Sequence, residues 1–323
     1  MDEPGERRSH KVSIPTLGGI AIFAGVVFSI VMWTPFQVFG NMQYILCAFI
    51  IIFLIGAKDD IVPMPPFKKM AGQLFACAIL VFQANIRITS FYGIFDIQTL
   101  PYWVSVLLSI FTLIVIINSI NLIDGINGLS ASVGILISFT FGMWFLVTEQ
   151  IVLAIIAFAL IGALVAFLKY NVTPAKIFMG DTGSLLVGIT CAILTIQFIE
   201  LHRSLSMEDY KVTAAPAVAI GVLFIPLFDT LRVFILRILK GRSPMSPDRL
   251  HVHHIIVDSG FSHLQTTFIL ITINLFVILI TVKFQSTGNL FLLMILLLIG
   301  LVFNGILYLQ NQRNTSRLHT ISQ

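Results

Sequence analysis

Ten apolar stretches follow one another along the 323-residue chain, separated by short polar breaks, at roughly 17–34, 43–57, 70–84, 102–120, 129–147, 151–168, 183–200, 213–236, 264–284 and 289–309. A helix needs about 20 mostly apolar residues to cross the hydrocarbon of a bilayer. There it must also satisfy its own backbone N–H and C=O groups, which a helix does internally. The pattern therefore predicts an all-α polytopic integral membrane protein with about ten transmembrane helices in a single domain spanning 1–323. Glycine and proline inside several stretches are no objection, since membrane helices tolerate both. Three hydrophilic inserts interrupt the series: 1–16, 85–101 and 237–263. The second, NIRITSFYGIFDIQTLP, alternates around Tyr92-Gly93 and predicts a small β-hairpin.

Composition excludes a soluble domain: 57% of residues are hydrophobic and 11% charged, with a mean hydropathy of +0.98. Cys47, Cys77 and Cys191 all lie inside apolar stretches without metal-ligand spacing and read as packing residues. The opening MDEPGERRSHK is polar, so no secretory signal is expected. With the N-terminus inside, 15 of the 19 basic residues fall on the inner face, leaving only Arg87, Arg203, Lys211 and Lys283 outside. The positive-inside rule fixes that topology. The net charge of +4 reflects this bias, with no basic stripe that points to nucleic acid.

That orientation gathers the acids at the ends of the apolar stretches on one face. Asp59 and Asp60 end the uncharged run YILCAFIIIFLIGA, Asp124 lies in NLIDGING, Asp181 in FMGDTGS and Asp229 in PLFDT. Charge at membrane depth is costly and usually marks a site. Adjacent carboxylates repel unless water or a cation relieves them. Several together suggest a divalent metal and a phosphate substrate, although each alone could be a solvated helix end. Lys69 follows nine residues after Asp60, across a PMPP turn, and could meet a phosphate or serve with Lys68 as an inner-face anchor. Asn118, Asn121, Asp124 and Asn127 recur every third residue and form a polar ridge along one side of a helix end. Their bland alternative is amide glue between helices.

Tyr170-Asn171 opens YNVTPAKIFMGDTGS, in which Gly180 and Gly183 flank Asp181 just where the next stretch begins. An acid at a helix start is either a plain N-cap or part of an anion- and metal-binding corner. Magnesium takes one or two carboxylates plus substrate oxygens and water, which Asp181 with Asp59 or Asp60 could supply. The last insert holds Asp248-Arg249-Leu250-His251-Val252-His253-His254. A zinc site would need a further ligand cluster that the sequence lacks. Arg249, His251, His253 and His254 instead read as contacts for diphosphate oxygens, with a plain interfacial loop as the alternative.

Taken in order, GAKDD with Lys69, NLIDGINGL, YNVTPAKIFMGDTGSLLVG, Asp229 and DRLHVHH resemble the polyprenyl-phosphate N-acetylhexosamine-1-phosphate transferases. The resemblance runs from about Asp2 to Gly260 and is closest to the branch that uses UDP-GlcNAc and undecaprenyl phosphate. The sibling branch that makes lipid I typically has three consecutive histidines where this chain has His251-Val252-His253-His254. The resemblance implies a magnesium-dependent transfer of GlcNAc-1-phosphate from UDP-GlcNAc to undecaprenyl phosphate at the cytoplasmic side of a bacterial inner membrane, with manganese as the substitute ion. It implies Asp181 as a magnesium ligand, with Asp59 as its companion. Asp59 and Asp60 would be the aspartate pair acting at the lipid phosphate or near the metal, and Asp124 the essential acid near the nucleotide. The histidine motif would contact the diphosphate. A homodimer is compatible with it.

Two departures stand out. The family usually has a second Asp where this chain has Asn127, and a membrane span before the DxPxxRxxH-like segment, which here begins at Asp2. The chain is therefore expected to lack the first of eleven spans. Another UDP-HexNAc donor, or a phospho-MurNAc-pentapeptide, remains an alternative substrate. A transporter is the alternative outside enzymes. It would show related halves with broken helices and a site at the midplane, whereas these acids lie at one face.

Overall fold

The structure is a computed structural model that describes residues 14–172, 174–205, 210–243 and 249–321, with the backbone alone at 311 and 313–321. The basic residues Arg7, Arg8 and Lys11, and Asp248 of the histidine motif, lie outside the described residues. The chain divides into two compact units, one up to Lys211 and one from Val212.

The first unit holds α1 (Gly18–Trp33), α2 (Met42–Ile61), α3 (Pro66–Phe82), α4 (Tyr102–Leu122), α5 (Leu129–Val147), α6 (Ile151–Asn171) and α7 (Gly180–Leu201). Its centre is α7, which packs against α1, α2, α4, α5 and α6 and is buried along nearly its whole length. An all-round apolar helix belongs in such a place, and small residues let its neighbours come close. A Cβ on Gly56 of α2 would lie 2.5 Å from the Thr182 Cα, and one on Gly188 would lie 2.8 Å from the Ile117 backbone of α4. The hydroxyls of Thr190 and Thr195 donate to carbonyls one turn back, at Leu186 and Cys191, so neither of these two buried donors is left unpaired. Large apolar side chains such as Phe28, Trp33, Phe75 and Phe111 remain exposed, as a lipid-facing surface requires.

The second unit holds α8 (Ala215–Val222), α9 (Phe224–Leu239), α10 (Val252–Asp258), α11 (His263–Lys283) and α12 (Asn289–Ile321). The single span expected at 213–236 is corrected here: α8 and α9 meet at an 80° bend. Pro226 supplies the cause, because its ring collides with the carbonyl four residues back and it has no N–H to donate. Asn274 of α11 repairs the break. Its Oδ1 accepts from Ile225 N at 2.9 Å and its Nδ2 donates to Val222 O at 3.0 Å.

All ten apolar stretches are helical, and the protein is an all-α polytopic membrane protein. Among the described residues, six helices are long and apolar enough to cross a bilayer on their own, and the bent pair would make seven. α1 has 16 residues and α3 has 17, about 24–26 Å at 1.5 Å per residue, and α2 ends in charge. The hairpin expected at 85–101 is reduced to one antiparallel bridge, Ser90 with Thr99, around a 3-10 turn at Ile94–Asp96.

Asn274→Leu would strand two buried backbone groups at the bend. It is expected to destabilise the protein by about 1–3 kcal/mol, read as a lower unfolding midpoint in detergent. Gly162→Ala, at a position whose Cβ would meet nothing within 4 Å, should leave the midpoint unchanged.

Candidate active site

Four helix ends of the first unit meet around the acids. Asp59 and Asp60 occupy the last turn of α2, a location where the helix dipole disfavours negative charge. Pro66 starts α3 and places Lys69 in its first turn, equally unfavourable for a cation. Each misplacement offsets the other. The Lys69 ammonium lies 3.1 Å from Asp59 Oδ2 and 2.8 Å from Asp181 Oδ1, bridging the two carboxylates. Asp59 Oδ1 also accepts from Met64 N at 2.6 Å, which ties the turn after α2 to the same carboxylate.

Asp60 faces the other way. Its Oδ1 accepts from Asp181 N at 2.8 Å, and its Oδ2 accepts from Thr182 N at 3.0 Å and from the Thr182 hydroxyl at 2.5 Å. It therefore caps the N-terminus of α7 from a different helix, satisfying N–H groups that have no partner within α7. Gly180 makes this approach feasible. Its φ is +68°, and a Cβ there would sit 2.6 Å from Asp60 Oδ2. Asp181, pinned by its own backbone, receives Asn121 Nδ2 on Oδ1 at 2.5 Å, and the same amide donates to Ser184 Oγ at 2.8 Å.

Asp124 lies in the turn between α4 and α5, partly open at its surface yet hemmed in by protein. Burial, then the charges of Asp181 and Asp60, push its carboxyl up to about 7 against an opposing hydrogen bond from Ser130. Asn127 is half-buried in the following turn.

Two predicted residues are spent on architecture. Asn118 and Gln73 exchange amide hydrogen bonds between α4 and α3, at 2.8 and 3.4 Å. Buried Asn171 accepts from Gly128 N at 2.7 Å and donates to Ile177 O at 2.9 Å, clamping the α4–α5 turn to the strand of chain that leads into α7.

In the second unit, His251 is the N-cap residue of α10, and its Nδ1 lies 2.7 Å from Asp229 Oδ2 on α9. His253 is buried beside it and His254 half-buried, with ring centroids 4.2 Å apart. Burial holds both neutral, pushing His253 down to about 3 and, with the charge of Arg249 beside it, His254 down to about 4. Exposed Arg249 pairs with Asp258 at 2.8 Å.

Asp59, Asp60, Lys69, Asn121, Asp124 and Asp181 thus meet in the first unit, while the second gathers Arg249, His251, His253 and His254. The sequence reading missed Gln73, Thr182, Ser184 and the engagement of Asp229 with His251. Thr182 and Ser184 were findable as the polar neighbours of Asp181 at one helix start. Among the described residues, no group of three His, Cys, Asp or Glu side chains could enclose a metal. Asp59 and Asp181 nevertheless share a cation, the Lys69 ammonium, so the pair can hold positive charge that other ligands complete.

Residues 42–199 match the model of glycosyl transferase family 4. A Bacillus subtilis (strain 168) protein called a probable undecaprenyl-phosphate N-acetylglucosaminyl 1-phosphate transferase is 30% identical over 308 residues, covering 95% of this chain and 83% of its own. The chain belongs to glycosyl transferase family 4. Relatives named undecaprenyl-phosphate alpha-N-acetylglucosaminyl 1-phosphate transferase, from Escherichia coli O157:H7 and Yersinia pestis, are each 30% identical over 280 residues, 84% of this chain and 73% of theirs. The matched family region spans α2 to α7 and so contains every residue of the first unit's acid cluster. The protein is a phosphoglycosyl transferase of the membrane.

The position of Asp124 gives a stability prediction. Its folded value of about 7 exceeds the ordinary 3.8, so the folded chain keeps a proton that the unfolded chain releases between those pH values. Stability therefore falls as pH rises through that window, and the full penalty applies above 7. In a chelator at pH 8, Asp124→Asn should raise the unfolding midpoint by about 2–4 °C. The two proteins should coincide below pH 4.

Proposed function

We propose that the chain transfers GlcNAc-1-phosphate from UDP-GlcNAc to undecaprenyl phosphate, giving undecaprenyl-diphosphate-GlcNAc and UMP. The step depends on magnesium, or manganese in its place, takes place on the cytoplasmic side of a bacterial inner membrane, and opens the synthesis of a cell-envelope polysaccharide. The observation that supports it best is the cation-bridged pair Asp59 and Asp181 beside the start of α7, in a chain whose relatives are named for this donor sugar and lipid.

In this reaction an oxygen of the lipid phosphate bonds to the β-phosphorus, and the bond from that phosphorus to the α–β bridging oxygen breaks, its electron pair leaving with UMP. One phosphoanhydride is exchanged for another, so catalysis reduces to positioning and neutralising charge. A phosphate monoester has a second pKa of about 6, so the attacking lipid phosphate needs no strong base at neutral pH. Both oxygens of Asp60 are already engaged by α7, which suits a mechanism without one.

Asp181 and Asp59 would hold magnesium, which when bound neutralises charge on the diphosphate oxygens. Such an ion needs only one or two protein carboxylates. Lys69, beside both carboxylates, would offer its ammonium to a phosphate oxygen. Asn121 fixes the rotamer of Asp181, and Asp124 keeps the nucleotide side of the cluster acidic above its titration point.

Membranes supplied with undecaprenyl phosphate and a panel of labelled UDP-sugars should give lipid-linked product from UDP-GlcNAc, lost with chelator and reversed by added UMP. Product from another UDP-HexNAc alone would reassign the donor. Asp181→Asn should abolish transfer in protein that still inserts. Asn127→Asp should stay within about tenfold of the parent, or about 1.4 kcal/mol in barrier. Asp124→Asn should lose about a hundredfold or more, near 2.7 kcal/mol on the same scale. A silent Asp124→Asn would make NLIDGING structural glue.

A further inference from the structure

Within the first unit, α1 and α6 come close where Gly25 faces Ala163, a Cβ on the glycine lying 3.6 Å from the Ala163 Cβ. Beside that contact they leave a groove of about 590 Å³, walled by Ala21 and Gly25 of α1 and by Ala159, Gly162 and Ala166 of α6. A Cβ on Gly162 would meet nothing within 4 Å, so this wall has room beside it. No charged residue lines the groove. Its α6 wall runs from Phe158 to Tyr170, about 18 Å at 1.5 Å per residue. One leaflet of a bilayer offers about 15 Å of hydrocarbon, so the groove is as long as a leaflet is deep. Its Tyr170 end also includes Ile177, in the chain that leads into α7 just ahead of Asp181.

An apolar groove by itself selects nothing in a bilayer, because lipid tails are as apolar as its walls. The Tyr170 end is what sets this one apart. The Lys169 ammonium lies 5.9 Å from the centroid of the Tyr170 ring, and Lys176 returns to the same residue, its N–H donating to Tyr170 O at 2.8 Å. Lys169, Tyr170 and Lys176 are all exposed. Among the described residues, no carboxylate pairs with either lysine. Lysines that merely anchor a membrane face could stand anywhere around it, whereas these two belong to the short stretch that closes one groove. Two ammonium groups and a phenol at the end of a leaflet-long apolar groove complement a phosphodiester that carries acyl chains. Basic pockets between membrane helices suit such headgroups.

We propose that the α1–α6 groove is a binding site for an anionic glycerophospholipid, with an acyl chain lying between the helices and the phosphate held by Lys169 and Lys176. Asn171 already ties Ile177 to the α4–α5 turn, so a lipid at this end braces the chain that enters α7. The proposal concerns binding and stands apart from the transferase reading.

The test uses delipidated protein in a neutral detergent, titrated with fluorescent phosphatidylglycerol or phosphatidylcholine of the same chains and read by anisotropy. The parent should bind phosphatidylglycerol about tenfold or more tightly than phosphatidylcholine. Replacing both lysines, Lys169→Gln with Lys176→Gln, should remove that preference, at about fivefold for each charge. Gly162→Leu places a side chain in the groove and should weaken both lipids about fivefold, through the chain contacts it displaces. Leucine is the better helix former, so its lipid-free unfolding midpoint should be no lower than the parent's. Should Gly162→Leu not fold, Ala166→Leu on the same wall decides by the same reading. Equal affinity of the parent for the two lipids overturns the proposal. Parental binding in the lysine variant, or in a folded groove variant, does so as well. The last arm adds undecaprenyl phosphate as competitor. If it displaces phosphatidylglycerol at lower concentration than unlabelled phosphatidylglycerol does, and Gly162→Leu weakens it too, the groove belongs to that lipid and the phospholipid assignment falls.

Discussion

The carboxylate of Asp60 sits at the negative end of its own helix and at the positive end of another, and the first unit is built around that exchange. At the C-terminus of α2 its charge is repelled by the helix dipole; at the N-terminus of α7 it is attracted, and it saturates donors that α7 cannot satisfy itself. The contact requires α2 and α7 to touch backbone to backbone, which Gly56 permits, and a carboxylate to enter where Gly180 has no side chain. Asp181 is one of the residues whose N–H is held this way. The geometry of the acid cluster is thereby set by hydrogen bonds to main chain, more rigid than contacts between flexible side chains.

Crowding carboxylates together inside the protein has a cost, visible at Asp124, whose proton is retained to about 7. Lys69 relieves part of it by joining Asp59 and Asp181. A protein selected for stability alone would replace such acids with amides. Here the acids remain, and two of them share one cation, the Lys69 ammonium. The second unit uses a related device, with Asp229 again receiving a backbone N–H from the start of another helix while it orients a side chain with chemistry of its own.

Much of this was legible in the chain. Ten apolar stretches gave ten helical regions because lipid leaves the backbone no alternative, and four of the acids interrupting those stretches, Asp59, Asp60, Asp124 and Asp181, cluster in the structure. The positions of Asp59, Asp60, Asp124 and Asp181 at helix ends followed from where the apolar runs stop. The bend at 222–224 was missed although Pro226 was visible, since a proline in a membrane span is compatible with a kink, a break or neither. What decides is whether a neighbour can satisfy the freed groups, and that neighbour, Asn274, lies about fifty residues away in sequence.

The division of labour among the polar residues belonged to tertiary structure entirely. Sequence spacing placed Asn118 and Asn121 on one ridge with Asp124, but only packing turned Asn118 to Gln73 and Asn121 to Asp181. Likewise, adjacent Asp59 and Asp60 are chemically identical in the sequence. One helical step, about 100° of rotation, points the first at Lys69 and the second at α7. Composition and periodicity determine which residues must lie at a membrane face. Which of them is left for substrate depends on partners brought in from distant helices, because a hydrogen bond needs its two atoms within about 3 Å and no local pattern encodes that distance.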